Sequence, residues 1–238
     1  MADVRTAMVM AAGLGTRIRA LANDRPKPLV EVRGKALIDY TLDDLAAGGV
    51  TRAVVNVHWM ADRMEAHLAG RARPDVVISD ERAQLMSTGG GLVQAAPVLG
   101  EGPVFCTNTD AIFGGAPGRA ARRLAAGWDD AAMDALLLLV PPSAATGYAG
   151  GGDFALGADG RLSWDAPDLV FTGLQLISPR LFAGRPPAPV STKAFWDEAM
   201  AAGRLYGLRW DGAWHHVGDP QGHAAAEAAL GANAGGRA

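Results

Sequence analysis

The residues best suited to chemistry stand near the start of the chain. The stretch "VMAAGLGTRIRALANDRPKPLVEV" carries Gly13, Gly15, Thr16, Arg17 and Lys27, with Pro26 and Pro28 on either side of the lysine. Two glycines behind a short apolar run let main-chain N–H groups come close to phosphate oxygens. Thr16 adds a hydroxyl donor, Arg17 a planar fork suited to bidentate phosphate contact, and Lys27 a compact charge. The two prolines restrict the backbone around Lys27 and so limit where its ammonium can go. Two familiar phosphate loops do not fit. A dinucleotide fingerprint needs a third glycine where Ile18 stands, and an acid ending the second strand, where this chain has Asn56 and His58. The Gly-Lys-Ser/Thr of an ATPase-type phosphate loop occurs nowhere. What remains is a loop that wraps a nucleoside triphosphate and supplies its own cations.

The elements that must position these groups alternate between strand-like and helix-like. "AMVMAA" reads as a buried strand, and "ALIDYTLDDLAAGG" as a helix burying Leu37, Ile38, Leu42 and Leu45 and stopping at Gly48-Gly49. "VTRAVVNVH", "DVVIS", "PVFCTNTD" and "DALLLLV" are further strands. "MADRMEAHLAG" and "RAARRLAAG" are further helices. This alternation predicts a doubly wound, mostly parallel, Rossmann-like α/β sheet with right-handed crossovers. Beyond Pro141 the pattern is less regular. "GYAGGGDFALGADGRLSW" reads as a hairpin turning at Asp159-Gly160, and "RLYGLRWDGAWHHVG" as a second around Asp211-Gly212. "DLVFTGLQLIS" is a strand, "GRPPAPV" a loop and "TKAFWDEAMAAG" a helix, and Asp219 caps a last helix with Pro220 in its first position. Ligands of open α/β sheets bind at the carboxyl ends of the strands. That rule selects Gly13 to Arg17, Asn56, His58, Ser79 to Glu81, and Asn108 to Asp110.

Composition narrows the function. The 238 residues suffice for a sizeable core, and the formal charge of −3 with no basic tail argues against a nucleic-acid partner. The single cysteine, Cys106, excludes an intrachain disulfide and a thiolate metal cluster, and it sits in a buried strand pattern as an inert hydrophobe. No export signal is read at the N-terminus, and "ALLLLV" is too short to span a bilayer, so the expectation is a cytoplasmic protein without a membrane partner. Trp196, Trp210 and Trp214 read as core or interface residues.

The opening "MAAGLGTRIRALANDRPKPLVEVRGKALIDY" closely resembles that of the sugar-1-phosphate nucleotidyltransferases. "STGGGL" is similar to their glycine-rich base-contacting segment, "NTD" to their metal-binding segment, and "WHHVGDP" to a conserved-type segment near their C-terminus. The "GGGDF" and "FTGLQLISPRLF" stretches and the short chain are most similar to a uridylyl-transferring branch, which implies UTP as the triphosphate and a sugar 1-phosphate as its acceptor. The resemblance implies one nucleotidyltransferase domain over 1–238, with a nucleotide-binding half at about 1–110 and a sugar-phosphate half at about 111–230. It implies that Ala11, Ala12, Gly13, Leu14, Gly15, Thr16, Arg17, Thr88, Gly89, Gly90 and Asn108 hold the nucleotide. Arg17, Lys27 and Asp110 become the catalytic residues, Lys27, Gly152, Asp153 and Thr172 the sugar-phosphate contacts, and Asp110 the Mg²⁺ ligand. Three positions depart from the family pattern. His216 replaces the second metal-binding aspartate, Thr109 replaces a glycine, and Ser87 stands where relatives often carry an acid. Imidazole suits a softer ion such as Mn²⁺ better than Mg²⁺. The metal shell is therefore completed by phosphates and water around Asp110, by His216, or by Asp219. A guanylyl- or cytidylyl-transferring relative and a nucleotide-binding regulatory subunit without catalysis remain the alternatives.

Overall fold

A computed structural model describes residues 2–22 and 24–235. Its centre is a seven-stranded sheet of β1 (Thr6–Met10), β2 (Arg52–Val57), β3 (Asp75–Asp80), β4 (Val104–Asn108), β5 (Ala135–Val140), β6 (Val170–Ile177) and β7 (Leu205–Arg209). The order across the sheet is β7-β5-β6-β4-β1-β2-β3. Neighbours pair in parallel except β6, which runs antiparallel to both β4 and β5. These strands are almost continuously apolar because both faces of the sheet are covered. The stretch "ALLLLV" is β5, buried in all its residues. No helix among the described residues is long and apolar enough to cross a membrane.

Alternation along each strand divides the core in two. On one face Val9, Val55, Phe105, Leu136 and Leu176 pack beneath α1 (Leu37–Ala47), α2 (Ala61–Leu68) and α4 (Arg119–Gly127). On the other Met8, Val54, Cys106, Leu137 and Ile177 pack beneath α3 (Ser87–Leu99) and α5 (Thr192–Ala201). A third cluster joins Ile18, Val30 and Val32 of the opening segment to Ile112, Val217 and Ala226 of α6 (Pro220–Gly235). Asp219 caps α6 as the sequence indicates, its Oδ1 accepting from Gly222 N at 2.8 Å. The turn at Gly160 (φ +83°) and the pairing of Ala155–Leu156 with Leu162–Ser163 match the first hairpin.

The second hairpin does not form. β7 joins the main sheet beside β5, whereas Trp214–His216 pairs antiparallel with Ala111–Phe113 and parallel with Ala145–Thr146 in a separate three-stranded sheet. Burial overrides the local turn signal. Trp214 is 2% exposed and donates its indole N–H to Thr172 O at 3.0 Å, contacts a two-stranded hairpin would not provide.

Burial pushes the Cys106 thiol up to about 12, with Gln175 opposing only weakly. At about pH 8 the folded protein is expected to resist alkylation by iodoacetamide and to react once denatured, because the thiolate is the nucleophile. Labelling of the native protein at the rate of the unfolded chain would contradict this placement.

Candidate active site

The loop after β1 is anchored by a buried polar network. Asn56, at the end of β2 and 3% exposed, accepts from Ala11 N at 2.7 Å and Ala12 N at 3.3 Å. Its own amide donates to Glu81 Oε1 at 2.8 Å, and Glu81 Oε2 accepts from Met86 N at 3.0 Å just before α3. The Ala11 and Ala12 amides are therefore used inside the protein, and Asn56 is a positioning residue. Gly91 in α3 makes room for this network, since a Cβ there would lie 3.0 Å from both Asn56 Nδ2 and Glu81 Oε1.

Further along, Gly15 adopts a left-handed conformation (φ +61°), and a Cβ at that position would lie 2.8 Å from Lys27 Cβ. Glycine is thus required both by the backbone and by the close approach of Lys27. Pro26, Lys27 and Pro28 form a tight turn in which Val30 N donates to Lys27 O at 3.0 Å. That turn directs the Lys27 ammonium onto Asp110 Oδ2 at 2.7 Å, across 83 residues of sequence.

Asp110 follows β4, and its carbonyl accepts from Val217 N at 2.7 Å, which docks the Trp214–His216 strand beside it. Burial alone would raise the Asp110 carboxyl, but the Lys27 ammonium and the neighbouring His216 outweigh it and hold the group below the usual carboxylate range. His216 stacks on Trp214 with ring centroids 5.7 Å apart and meets the edge of Tyr148 at 5.9 Å. Burial keeps its imidazole below the ordinary value despite the pull of Asp110, so the neutral ring predominates near neutrality. Gly218 leaves the space the ring occupies.

A cleft of about 340 Å³ opens at this edge, and Ala11, Ala12, Gly13, Lys27, Thr88, Asn108 and Asp110 of the expected set line it. Leu14, Thr16 and Arg17 are exposed on the continuation of the loop. Arg17 makes no ion pair with the described residues, so its guanidinium is free to meet an anion.

Other expected residues have structural work. The Gly89 and Gly90 amides both donate to Val190 O, at 2.8 and 2.9 Å, and a Cβ on Gly90 would lie 2.4 Å from Ala188 O. These glycines admit the 184–191 loop against α3 and do not face the cleft. Thr172 is 1% exposed, and its hydroxyl donates to Leu138 O at 2.8 Å and accepts from Leu174 N. It is a strand-bridging group, not a free sugar ligand. Asp153 accepts from Phe171 N at 2.8 Å and from the Tyr148 hydroxyl, and Gly152 (φ +133°) lies against Pro167 O. Gln175 and Thr192, which the sequence reading does not single out, line a second space beside Asn108 together with Trp196, which also packs against the core as read. No motif marks them; only their tertiary placement does. Glu81 was legible as a carboxylate directly after a strand.

Chemically, the arrangement offers one carboxylate, one ammonium, one free guanidinium and a neutral imidazole around a cleft. Among the described residues no group of three or more His, Cys, Asp or Glu converges on one point. The donor set is too sparse for a protein cage, but it fits Mg²⁺, which keeps waters and takes substrate phosphate oxygens alongside one or two carboxylates.

A chain of this architecture, with this cleft at the strand ends, belongs to the nucleotidyl transferase family, whose profile matches residues 6–150. It is 48% identical over 95% of its length to N-acetylmuramate alpha-1-phosphate uridylyltransferase of Caulobacter vibrioides, covering 97% of that protein. The enzyme of the same name from Neisseria meningitidis serogroup B is 32% identical over 89% of this chain and 92% of its own. Among solved structures, HddC from Yersinia pseudotuberculosis complexed with GMP-PN has a TM-score of 0.78 at 18% identity, covering 95% of this chain and all of that one. UDP-glucose pyrophosphorylase complexed with UDP-glucose has a TM-score of 0.79 at 14% identity, over 97% and 99%. The protein is an enzyme that transfers a nucleotidyl group to a sugar 1-phosphate.

Proposed function

We propose that this enzyme transfers a uridylyl group from UTP to N-acetylmuramate 1-phosphate, releasing pyrophosphate and forming UDP-N-acetylmuramate, within the cytoplasm and in the recycling of cell-wall sugar. The near full-length similarity to the Caulobacter enzyme supports the choice of substrates. The Lys27–Asp110 pair on the cleft wall is the observation that carries the chemistry.

An ionised oxygen of the sugar phosphate attacks the α-phosphorus in line, and the bond from that phosphorus to the bridging oxygen of pyrophosphate breaks. The nucleophile is already deprotonated, so positioning and neutralisation of charge are what the protein must provide. Lys27 is placed to turn from Asp110 to the α-phosphate and the incoming phosphate. Arg17, exposed and without an ion pair among the described residues, holds the triphosphate tail and the departing pyrophosphate. Asp110 is the residue that would hold Mg²⁺, with His216 beside it. A bound Mg²⁺ would neutralise phosphate charge and fix the geometry of the triphosphate.

The test is pyrophosphate release with N-acetylmuramate 1-phosphate and UTP, GTP, CTP or ATP in separate reactions. Turnover confined to UTP is expected. Turnover with GTP or CTP would move the enzyme to a neighbouring specificity, and binding without release in every case would favour a regulatory subunit. His216→Ala is expected to keep kcat/KM within about tenfold with Mg²⁺, because imidazole is a poor ligand for that ion. A fall of two orders of magnitude in the variant, with the wild type but not the variant activated by Mn²⁺, would put His216 in the metal shell.

A further inference from the structure

Behind the main cleft lies a second space of about 230 Å³, which shares Met10, Thr88 and Asn108 with it and runs between β4, β6 and the start of α5. None of its lining residues carries a charge. At its inner end is Gln175, 2% exposed, whose Oε1 accepts the Trp196 indole N–H at 2.8 Å. That bond assigns the orientation of the amide and leaves the Gln175 NH₂, beside the weakly accepting Cys106 thiol, as the group it offers. Nearer the cleft, Thr88 Oγ1 accepts from Thr192 N at 3.0 Å and lies 3.1 Å from Thr192 Oγ1. Two hydroxyls sharing one hydrogen bond leave one proton for an outside acceptor. Phe171 and Trp196 meet edge to face at 5.1 Å and, with Met10, make the apolar wall. Gly173 (φ +85°) lets Asn108 come close, since a Cβ there would press on Asn108 Cβ at 3.2 Å.

The slot therefore offers hydrogen-bond donors and an aromatic wall with no countercharge. A carboxylate in it would be desolvated without a cation, and a lone hydroxyl would leave the aromatic wall bare. A planar amide with a methyl group satisfies both halves. We propose that the slot receives the 2-acetamido group of the acceptor sugar, its carbonyl taking the Gln175 and threonine donors and its methyl packing on Trp196 and Phe171. Gln175, held by Trp196, is then the residue that selects acetamido sugars. This rests on the acceptor reading given above. The lactyl carboxylate on the adjacent ring carbon finds no cation in the slot and belongs outside it.

The experiment compares N-acetylmuramate 1-phosphate with its 2-amino counterpart, using the wild-type enzyme and the double variant Gln175→Met/Trp196→Phe, which removes both partners of the buried hydrogen bond together. Wild type should favour the acetamido sugar by about tenfold or more in kcat/KM, as expected where buried donors lose their acceptor. The double variant should lose most of that preference through the sugar KM, with the KM for UTP unmoved. A second readout needs no variant. The acetyl methyl proton signal of bound sugar phosphate should move upfield under the Trp196 and Phe171 ring currents. Equal use of both sugars by wild type, a preserved preference in a variant that still binds UTP, or an unshifted methyl signal would each overturn the slot assignment alone. Absence of turnover of the acetamido sugar phosphate with any triphosphate would instead overturn the acceptor reading on which it rests.

Discussion

Asp110→Ala is expected to lower kcat/KM by about 10³-fold under saturating Mg²⁺, a loss of about 4 kcal/mol in transition-state stabilisation. Two arguments set that size. Among the described residues Asp110 is the one carboxylate lining the cleft, and its partner Lys27 sits 2.7 Å away, so one substitution removes the proposed metal ligand and frees a cation from its anchor. Asp110→Asn separates the two effects, since the amide oxygen still accepts from Lys27 while the charge is gone. Asn is expected to restore UTP binding lost through a misplaced Lys27, as calorimetry would show, but not the rate. Retention of most activity by Asp110→Ala would mean that another group, His216 or Asp219, carries the metal.

Glu81→Gln, which leaves shape unchanged, should damage stability. Both Glu81 oxygens accept, one from Asn56 and one from Met86 N, and the residue is 1% exposed. Glutamine has one acceptor to give, so its NH₂ must oppose one of those donors, leaving two buried N–H groups face to face. That penalty is about 2 kcal/mol, and for a protein of this length it corresponds to a fall in Tm of about 4–8 °C. Because Asn56 also fixes Ala11 and Ala12, the KM for the triphosphate should rise as well. An unchanged melting temperature would show that the network does not hold the loop.

The parts of the fold written in local pattern were legible, and the parts set by distant contacts were not. Apolar runs and turn residues marked β5 and α1 because each is encoded by its own residues. The turn signal at Asp211-Gly212 failed because Trp214 is drawn to Thr172, on a strand remote in sequence. The same limit applies to the site. Residue type and spacing marked Gly13 and Lys27 in the opening loop and the strand-end rule marked Asp110, and all three line one cleft. Nothing local shows that Gly89 and Gly90 are small to admit the backbone of 188–191, or that the Thr172 hydroxyl is spent on Leu138. Gln175 and Trp196 are ordinary members of a strand and a helix until folding sets them side by side.

The reversal of β6 has an evolutionary consequence. β5 ends and β6 begins at the same edge of the sheet, with Val140 paired to Val170, so residues 141–169 leave and return at the carboxyl end of the parallel strands. Such an excursion can lengthen or shorten without rethreading β1 and β4, which lead into Gly13 and Asp110. The stretch beyond its Ala145–Thr146 pairing is thus a graftable part, and the parallel strands are chassis. Variation there has a route that leaves Lys27 and Asp110 untouched.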